Sequence, residues 1–530
     1  MVASNLTKAN ELIADMEKQL ESKNQEIKQL KNEVSFLKEQ VLNKNRKIFG
    51  KSSEQVDVNQ ISFFNEAEQN SDSKAAEPKI EEITYKRKKP AKAASKHDNL
   101  DGLETVVIEH KLSDKEAICE KCGSPLVVIG SKSKEILKYE PAKIYVEKHI
   151  TYSYACKTCE AEAEKSNIVT AKAPMTLLHK SMASNELLSH IVMMKYQQAL
   201  PLYRIEAYFK TMDIILSRQT LSNWIMSCAE ELKPVYNYMK QELLKRDYIH
   251  ADETVLKVID RNGTESKSKH YMWVYTSNID NPIILYDYQK TRSSSCPKNF
   301  LHGFHGYLQT DAYAGYNKVD NVRHVYCMAH IRRKFYDIVN NLTPEALKKS
   351  RAVIGFNYCE QIYKVEKEIK SIASYYDDFY DARHRLRLEK LAPLIEDFNQ
   401  YVINEIPNAL PKSELGKALA YASKTLPYMK NVLTSGYLEI DNNAAERAVK
   451  DFVIGRKNWL FSNTPKGASS SALLYSIVET AKANGLIVER YLTYLFDRLA
   501  NSEVKDEDML EHCMPWSVDL PEYLHNKTAK

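Results

Sequence analysis

Glycine is scarce in this chain of 530 residues: there are 14, and no two stand at G-x-G spacing. The dinucleotide-binding fingerprint is thereby excluded, and no G-x-x-x-x-G-K-[ST] phosphate loop occurs. An enzyme built around a nucleotide cofactor is not expected. Long apolar runs are missing too, since none approaches the roughly 18 residues that a membrane span requires. The N-terminal VASNLTKANELIADMEKQ is charged and polar, without the apolar centre of a signal peptide. Nor is there a disulfide framework. Of nine cysteines, five (Cys228, Cys296, Cys327, Cys359 and Cys513) are scattered singly, which suits a reducing cytoplasm. No sign of charge dominates either: 75 Lys+Arg against 70 Asp+Glu leaves +5. A sum so small can hide a basic surface offset by acids elsewhere. At roughly 150 residues per domain, the length predicts three or four domains.

What is present is ordered along the chain. Apolar residues recur every seven positions at Leu6, Ile13, Leu20, Ile27, Val34, Val41 and Ile48. Their companions are Ala9, Met16, Lys23, Leu30, Leu37 and Lys44. The strict repeat predicts a coiled coil over 1–51 whose seam lies between copies of the chain, rather than a helix folded back on its own protein. Residues 52–100 lose the periodicity and read as a basic flexible linker, with Lys86, Arg87, Lys88, Lys89, Lys92 and Lys96 and no acid between Tyr85 and His97. Beside other nucleic-acid signals, such a run also supplies phosphate contacts.

Residues 101–170 hold Cys119-x-x-Cys122 and Cys156-x-x-Cys159 among strand-like stretches. Together the pairs predict a structural zinc ribbon with four thiolate ligands, although either pair alone would suit a redox dithiol. Residues 171–240 read as helical. PLYRIEAYFKTM, DIIL and SRQTLSNWIMSCAEEL form helix, turn and helix, the second capped by Ser217. Arg218, Gln219, Thr220 and Asn223 stand near its start, where a recognition helix meets base edges. An ordinary packed helical pair has the same pattern.

From Asp247 to Tyr316 strands take over: DYIHADETVLKVID, HYMWVYTS, PIILYDYQK and GYLQTDAYAGY, after which NVRHVYCMAHIRRKFYDIV passes from a short strand into a helix. Several strands, then a helix, fit the antiparallel-then-parallel sheet of a ribonuclease-H-like α/β domain. Asp252 lies inside the first strand, Asp311 ends the fourth, and Glu446 lies about one turn into a helix that opens near Asp441. An acid inside an apolar strand is costly unless it is paired, hydrogen-bonded or bound to metal. Three carboxylates can hold two magnesium ions about 4 Å apart, and magnesium prefers such hard oxygen ligands. Each acid also has a structural alternative. Asn443 and Glu446 have capping-box spacing, Asp311 before Ala-Tyr-Ala-Gly suits a turn, and Glu253 is a rival acid on the opposite strand face.

HADETVLKV, GYLQTDAYAGY and DNNAAERAVKDFVIGRKNWLFS resemble the three acidic motifs of bacterial DDE transposases of the Insertion Sequence sixty-six family. The resemblance extends to KIFGKSSEQ after the heptads, the four-cysteine ribbon, the C-x-x-H element in CMAHIRRKF, and the piece around Met514-Pro515-Trp516. It covers nearly the whole chain, with 52–100 and 341–436 matching least. It implies a DNA transposase that binds terminal inverted repeats and catalyses metal-dependent strand cleavage and strand transfer. Carried over, Asp252, Asp311 and Glu446 become the catalytic triad holding two Mg2+ ions, with Mn2+ able to substitute, and the ribbon zinc is structural. The separation of 446 − 311 = 135 residues implies an insertion, and 341–436 reads as helical. The catalytic core then spans 241–340 and 437–500, followed by a tail at 501–530, and the fold class is multidomain α+β.

His330 is expected near the metals or the scissile phosphate, or else as a core histidine beside Cys327. Arg332, Arg333, Arg456 and Lys457 are candidates for phosphate contacts. Trp459 could stack on a displaced base or sit in the core. The implied partners are duplex DNA, a second copy of the chain and accessory proteins of the same element, with no membrane and a cytoplasmic, nucleoid-associated location. Two alternatives share parts of the pattern: a non-catalytic zinc-ribbon and coiled-coil DNA-binding regulator, and a resolvase-like nuclease on the same fold.

Overall fold

A computed structural model describes residues 15–27, 30–31, 33–34, 143–155, 168–173, 175–259, 269–502 and 506–526. They fall into two units, with 143–155 and 168–173 in one and the rest in the other. The four ribbon cysteines and the linker at 52–100 lie outside the described residues. In the smaller unit, β1 (Ser153–Ala155) pairs antiparallel with β2 (Ile168–Thr170), and the Ser153 and Thr170 hydroxyls meet at 2.8 Å. In the larger unit, residues 15–27, 30–31 and 33–34 are helical. There the heptad positions Met16, Leu20, Ile27, Leu30 and Val34 are between 48% and 64% exposed. The apolar positions therefore lie open along these helical stretches.

A five-stranded mixed sheet organises the rest of that unit. β3 (Tyr248–Leu256), β4 (His270–Ser277), β5 (Ile283–Gln289), β6 (Gly306–Thr310) and β7 (Val322–Tyr326) lie in the order β5-β4-β3-β6-β7. β3, β4 and β5 pair antiparallel, whereas β6 joins β3 and β7 joins β6 in parallel. The interior strands are built from aromatic and β-branched residues. Met272, Trp273, Val274 and Tyr275 are all buried, so β4 is covered on both faces and shows no polar alternation.

Before the sheet come α1 (Asn185–Tyr196), α2 (Leu202–Lys210), α3 (Arg218–Glu231) and α4 (Lys233–Leu244), which pack into one core with it. The Ser217 hydroxyl caps α3 by accepting from the Thr220 N–H. After the sheet, α5 (Met328–Val339) joins the inserted helices α6 (Arg351–Ala373), α7 (Phe379–Leu386), α8 (Ala392–Glu405) and α9 (Glu414–Met429) in a second core. β3 divides the two: Ile249 and Ala251 enter the first core and Tyr248 the second, as alternation along a strand requires. The chain then returns through α10 (Asn443–Trp459) to α11 (Pro465–Ala483), α12 (Val488–Asn501) and α13 (Glu507–Cys513).

β5 lies at the edge of the sheet, where unpaired backbone groups would invite another strand. The Ser476 hydroxyl of α11 accepts from the Tyr286 N–H at 2.8 Å, and the Thr480 hydroxyl both accepts from the Ile284 N–H and donates to its carbonyl at 3.0 Å. Two side chains of α11 thus do the work of a sixth strand. Residues expected to form a C-terminal tail are part of the packing as well, since Met509, Leu510, Cys513, Met514, Leu520 and Leu524 enter the first core. The helices at 185–244 share that core and do not form a separate one.

The insertion carries a buried ionic cluster. Arg383 and Arg387 are 1% and 0% exposed, and both donate to Glu366, itself 3% exposed. Arg383 also reaches the Gly436 carbonyl and Glu439, and Arg387 reaches the carbonyls of Val432, Ser435 and Leu438. Glu366 and Glu439 together therefore balance two guanidiniums that grip the chain just ahead of α10. Removing one partner of such a cluster leaves buried charge uncompensated. Glu366→Gln is expected to destabilise the protein by about 3–5 kcal/mol in urea denaturation, and a loss below about 1 kcal/mol would show that the cluster is dispensable.

Candidate active site

β3 and β6 run parallel with His250 beside Gln309. Continuing that register by two residues in each chain brings Asp252 and Asp311 to the same end and the same face of the sheet. Asp311 directly follows β6, and the chain leaves through Ala312, which has a left-handed φ of 68°. The Tyr313 N–H donates to Asp311 Oδ1 at 2.9 Å, and the Tyr421 hydroxyl of α9 donates to the Asp311 carbonyl at 2.9 Å. The turn chemistry expected at Asp311 is real, and it engages one carboxylate oxygen.

Glu446 arrives on α10, and Asn442 fixes where that helix begins. The buried Asn442 amide donates to the Ala251 carbonyl at 2.9 Å, its oxygen faces His250 Nδ1 at 3.1 Å, and its N–H donates to Cys327 Sγ at 3.2 Å. The helix start is thus bolted to β3 beside Asp252. The Glu446 N–H bonds the Asn442 carbonyl at 3.1 Å, one turn into the helix. The cap falls at Asn442 rather than at Asn443, whose amide donates instead to Asp441 Oδ2 at 3.2 Å. The capping-box alternative for Glu446 therefore does not apply.

Electrostatics tie the acids together. Burial pushes the Asp252 carboxyl up to about 8; the negative charges of Glu253, Asp311 and Glu446 add to the rise, and a bond from the Glu253 N–H opposes it. That bond, to Asp252 Oδ1, is 2.8 Å long. The rival acid Glu253 points the other way and is fully engaged. Its side chain is 1% exposed, Arg292 Nε donates to Oε1 at 2.7 Å, and the Tyr316 hydroxyl donates to Oε2 at 2.6 Å. Burial raises the Glu253 carboxyl as well, against the pull of Tyr316 and Arg292.

His330 joins the group from the first turn of α5, with Nδ1 3.9 Å from Glu446 Oε1. Cys327 Sγ lies 3.9 Å from the same oxygen. The other candidates are distributed differently. Arg332 pairs with Glu360 and lies 5.3 Å from the Phe356 ring, so it is committed to α6. Arg456 donates to Thr254 Oγ1 at 3.0 Å and to the Val255 carbonyl, which clamps α10 to β3. Trp459 is half-buried, with its ring edge-on to Phe452 at 5.6 Å. Arg333 and Lys457 are exposed. On α3, Arg218 pairs with Glu206 at 3.0 Å while staying 67% exposed, and the exposed Gln219 and Asn223 bond one another at 3.0 Å. Sequence reasoning missed Asn442, Arg292, Tyr316 and Tyr421; the doubled asparagine before Glu446 is the one local sign of the bolt.

The fold and site together describe a mixed α+β chain with an acidic cluster at one end of its sheet. Comparison with known proteins narrows this further. Residues 180–470 match the family described as Transposase IS66 family, 116–160 the zinc-finger binding domain of transposase IS66, 476–516 the IS66 C-terminal element, and 36–108 Transposase C of IS166 homeodomain. The chain belongs to the IS66 transposase family. It is similar to three proteins of Sinorhizobium fredii (strain NBRC 101917 / NGR234). Uncharacterized protein y4jD is 28% identical over 417 residues, 75% of this chain and 78% of that protein. Uncharacterized protein y4qI is 27% identical over 447 residues (81% and 77%), and Uncharacterized protein y4hP is 25% identical over 434 (78% and 74%). Among the described residues, no helix is long and apolar enough to cross a membrane.

The Asp252 shift has a consequence for stability. A carboxyl whose folded value is raised favours the protonated folded form, so its contribution is full below the unfolded value of 3.8 and is lost as pH rises toward about 8. Asp252→Asn removes that loss. In magnesium-free buffer the variant is expected to melt higher than the parent protein, with a larger gain at pH 8 than at pH 5. An equal or smaller gain at pH 8 would contradict the raised Asp252 carboxyl.

Proposed function

We propose that the chain is a DNA transposase that cleaves the ends of its element and joins them to a target duplex, using magnesium, with manganese able to substitute. The observation that carries this reading is the gathering of Asp252, Asp311 and Glu446 at one end of the sheet, where burial, with the charges of neighbouring acids adding to it, raises the Asp252 carboxyl to about 8. The strand order β5-β4-β3-β6-β7, antiparallel and then parallel, supports a ribonuclease-H-like catalytic domain.

The donor set fits the metal. Carboxylate oxygens are the hard ligands magnesium takes, and a cation beside them would cancel the repulsion felt by Asp252. Asp252, Asp311 and Glu446 would hold it. When bound, such a metal makes an attacking water or 3′-hydroxyl more acidic and stabilises the leaving oxygen of the phosphodiester. The contribution of the protein is preorganisation: β3 fixes Asp252, the Tyr313 turn and Tyr421 fix Asp311, and Asn442 fixes Glu446.

DNA binding falls to the exposed groups Arg218, Gln219, Asn223, Arg333 and Lys457, with His330 beside the scissile phosphate. Arg332, Arg456 and Trp459 would contact DNA only by exchanging their internal partners. Cys119, Cys122, Cys156 and Cys159 would hold a structural zinc in the 116–160 region. The open heptad stripe at Met16, Leu20, Ile27, Leu30 and Val34 supports pairing with a second copy, which suits chemistry on two element ends. The working protein would then be a cytoplasmic, nucleoid-associated dimer or higher assembly, with accessory proteins of the same element as further partners.

Asp252→Asn, Asp311→Asn and Glu446→Gln are each expected to lower magnesium-dependent cleavage of terminal-repeat DNA by about 10²–10³-fold while leaving binding of that DNA intact. Full activity in any folded variant of the three refutes the reading, and cleavage without strand-transfer products points to a nuclease instead. Separately, Leu20→Asp combined with Ile27→Asp should shift the protein to monomer in sedimentation; an unchanged assembly would assign the contact elsewhere.

A further inference from the structure

We propose that Cys327, His330 and Glu446 form a second metal site that takes a soft divalent ion of the zinc class. Its donor chemistry sets it apart from the all-oxygen set. Cys327 ends the passage from β7 to α5, and His330 follows three residues on, so one helix start presents both side chains toward α10. Sγ and Nδ1 each lie 3.9 Å from Glu446 Oε1, and all three donors fall within 4.8 Å of one another. Zinc bonds of about 2.0–2.3 Å in a tetrahedron set neighbouring donors roughly 3.3–3.7 Å apart. The two contacts to Glu446 Oε1 are thus a few tenths of an ångström too long for an ion, and the separation of sulfur and imidazole is up to about 1 Å too long. Rotation of the His330 and Glu446 side chains, 28% and 36% exposed, can supply these differences.

Two further observations point to a ligand. His330 Nδ1 is a buried nitrogen with no hydrogen-bond partner among the described residues, which is costly unless something is bound there. Cys327 Sγ already accepts the Asn442 N–H at 3.2 Å, the kind of outer bond that steadies a metal thiolate. Binding exchanges the thiol proton for the ion. The Glu446 and His330 side chains remain 36% and 28% exposed, so a fourth ligand can come from solvent.

Sulfur and imidazole nitrogen favour zinc, cobalt or copper over magnesium. Because Glu446 is common to both donor sets, an ion held here draws that carboxylate away from the catalytic metals. This consequence for activity rests on the transposase reading, whereas the binding itself does not.

The test uses the full chain loaded with Co2+ as the probe, in the absence of DNA and magnesium. Wild type, Cys327→Ser, His330→Ala and a control, Cys228→Ser, which removes another buried cysteine, are compared by metal count per chain and by thiolate-to-cobalt absorption. Any cobalt in the ribbon is common to all four. The expected result is one ion per chain fewer in Cys327→Ser and His330→Ala than in wild type and Cys228→Ser, with weaker absorption in Cys327→Ser. Equal counts in all four proteins overturn the proposal. His330 is part-exposed, so His330→Ala carries the test if Cys327→Ser fails to fold. Full cleavage by Asp252→Asn or Asp311→Asn would refute the catalytic reading without altering these counts, so failure of that reading and failure of this site are separable.

Discussion

Holding a buried carboxyl, Asp252, beside other acids is the constraint on which this structure depends. Asp252, Asp311 and Glu446 are held at one end of an apolar sheet, where burial weighs most on the Asp252 carboxyl and the neighbouring negative charges add to it. Asp252 is fixed by a strand paired on both sides. Asp311 is fixed by its turn and by Tyr421. Glu446 needs most help, because it belongs to a helix that returns after a long excursion, and Asn442 supplies it. One amide side chain joins α10 to β3, while the same residue's backbone N–H reaches Cys327. An asparagine offers a donor and an acceptor on one short side chain, which suits a position that is 0% exposed.

The contrast between Asp252 and Glu253 makes the same point from adjacent residues. Alternation sends one to each face of β3. Glu253 meets Arg292 and Tyr316 and spends both carboxylate oxygens on them. The charge is answered internally, and such an acid is structural. Asp252 is buried beside other acids with one backbone N–H as its partner, so its charge is unanswered and burial, with the neighbouring charges adding to it, raises its carboxyl. Unanswered charge on a rigid strand is a property that a cation, and not a core, can use.

Much of this was legible in the sequence, for identifiable reasons. The strands announce themselves through aromatic and β-branched runs, and all four expected segments appear, with VRHVY as the fifth. Ser217 capped the expected helix. The acids stood out because an acid within an apolar strand, or at its end, has few cheap explanations. What stayed hidden depends on partners distant along the chain. Ser476 and Thr480 shield an edge strand lying about 190 residues earlier, and the segment 507–524 packs under helices near the start of the same unit. Arg332 and Arg456 look like phosphate ligands in one dimension, yet Glu360 and the end of β3 claim them in three. A long basic side chain takes whichever partner is nearest, and sequence does not show which that is.

The helical insertion contributes to the same fixed geometry. Closing a structureless loop of about 100 residues costs on the order of 4 kcal/mol in chain entropy and would leave its ends free to drift. A folded insertion with its own core replaces drift with fixed geometry. Tyr421 of α9 reaches back to the Asp311 carbonyl, and Tyr363 of α6 donates to Asp441, just ahead of α10. Between them, Arg383 and Arg387 hold the carbonyls of the strap from Val432 to Leu438. At Gly436 the fit is so close that a Cβ would fall 1.8 Å from the Tyr380 carbonyl oxygen. The insertion therefore touches both sides of the gap it creates. It acts as the outer half of the clamp on the second and third acids, which explains why its most expensive feature, a buried pair of arginines held by Glu366 and Glu439, is spent on backbone carbonyls leading to Glu446.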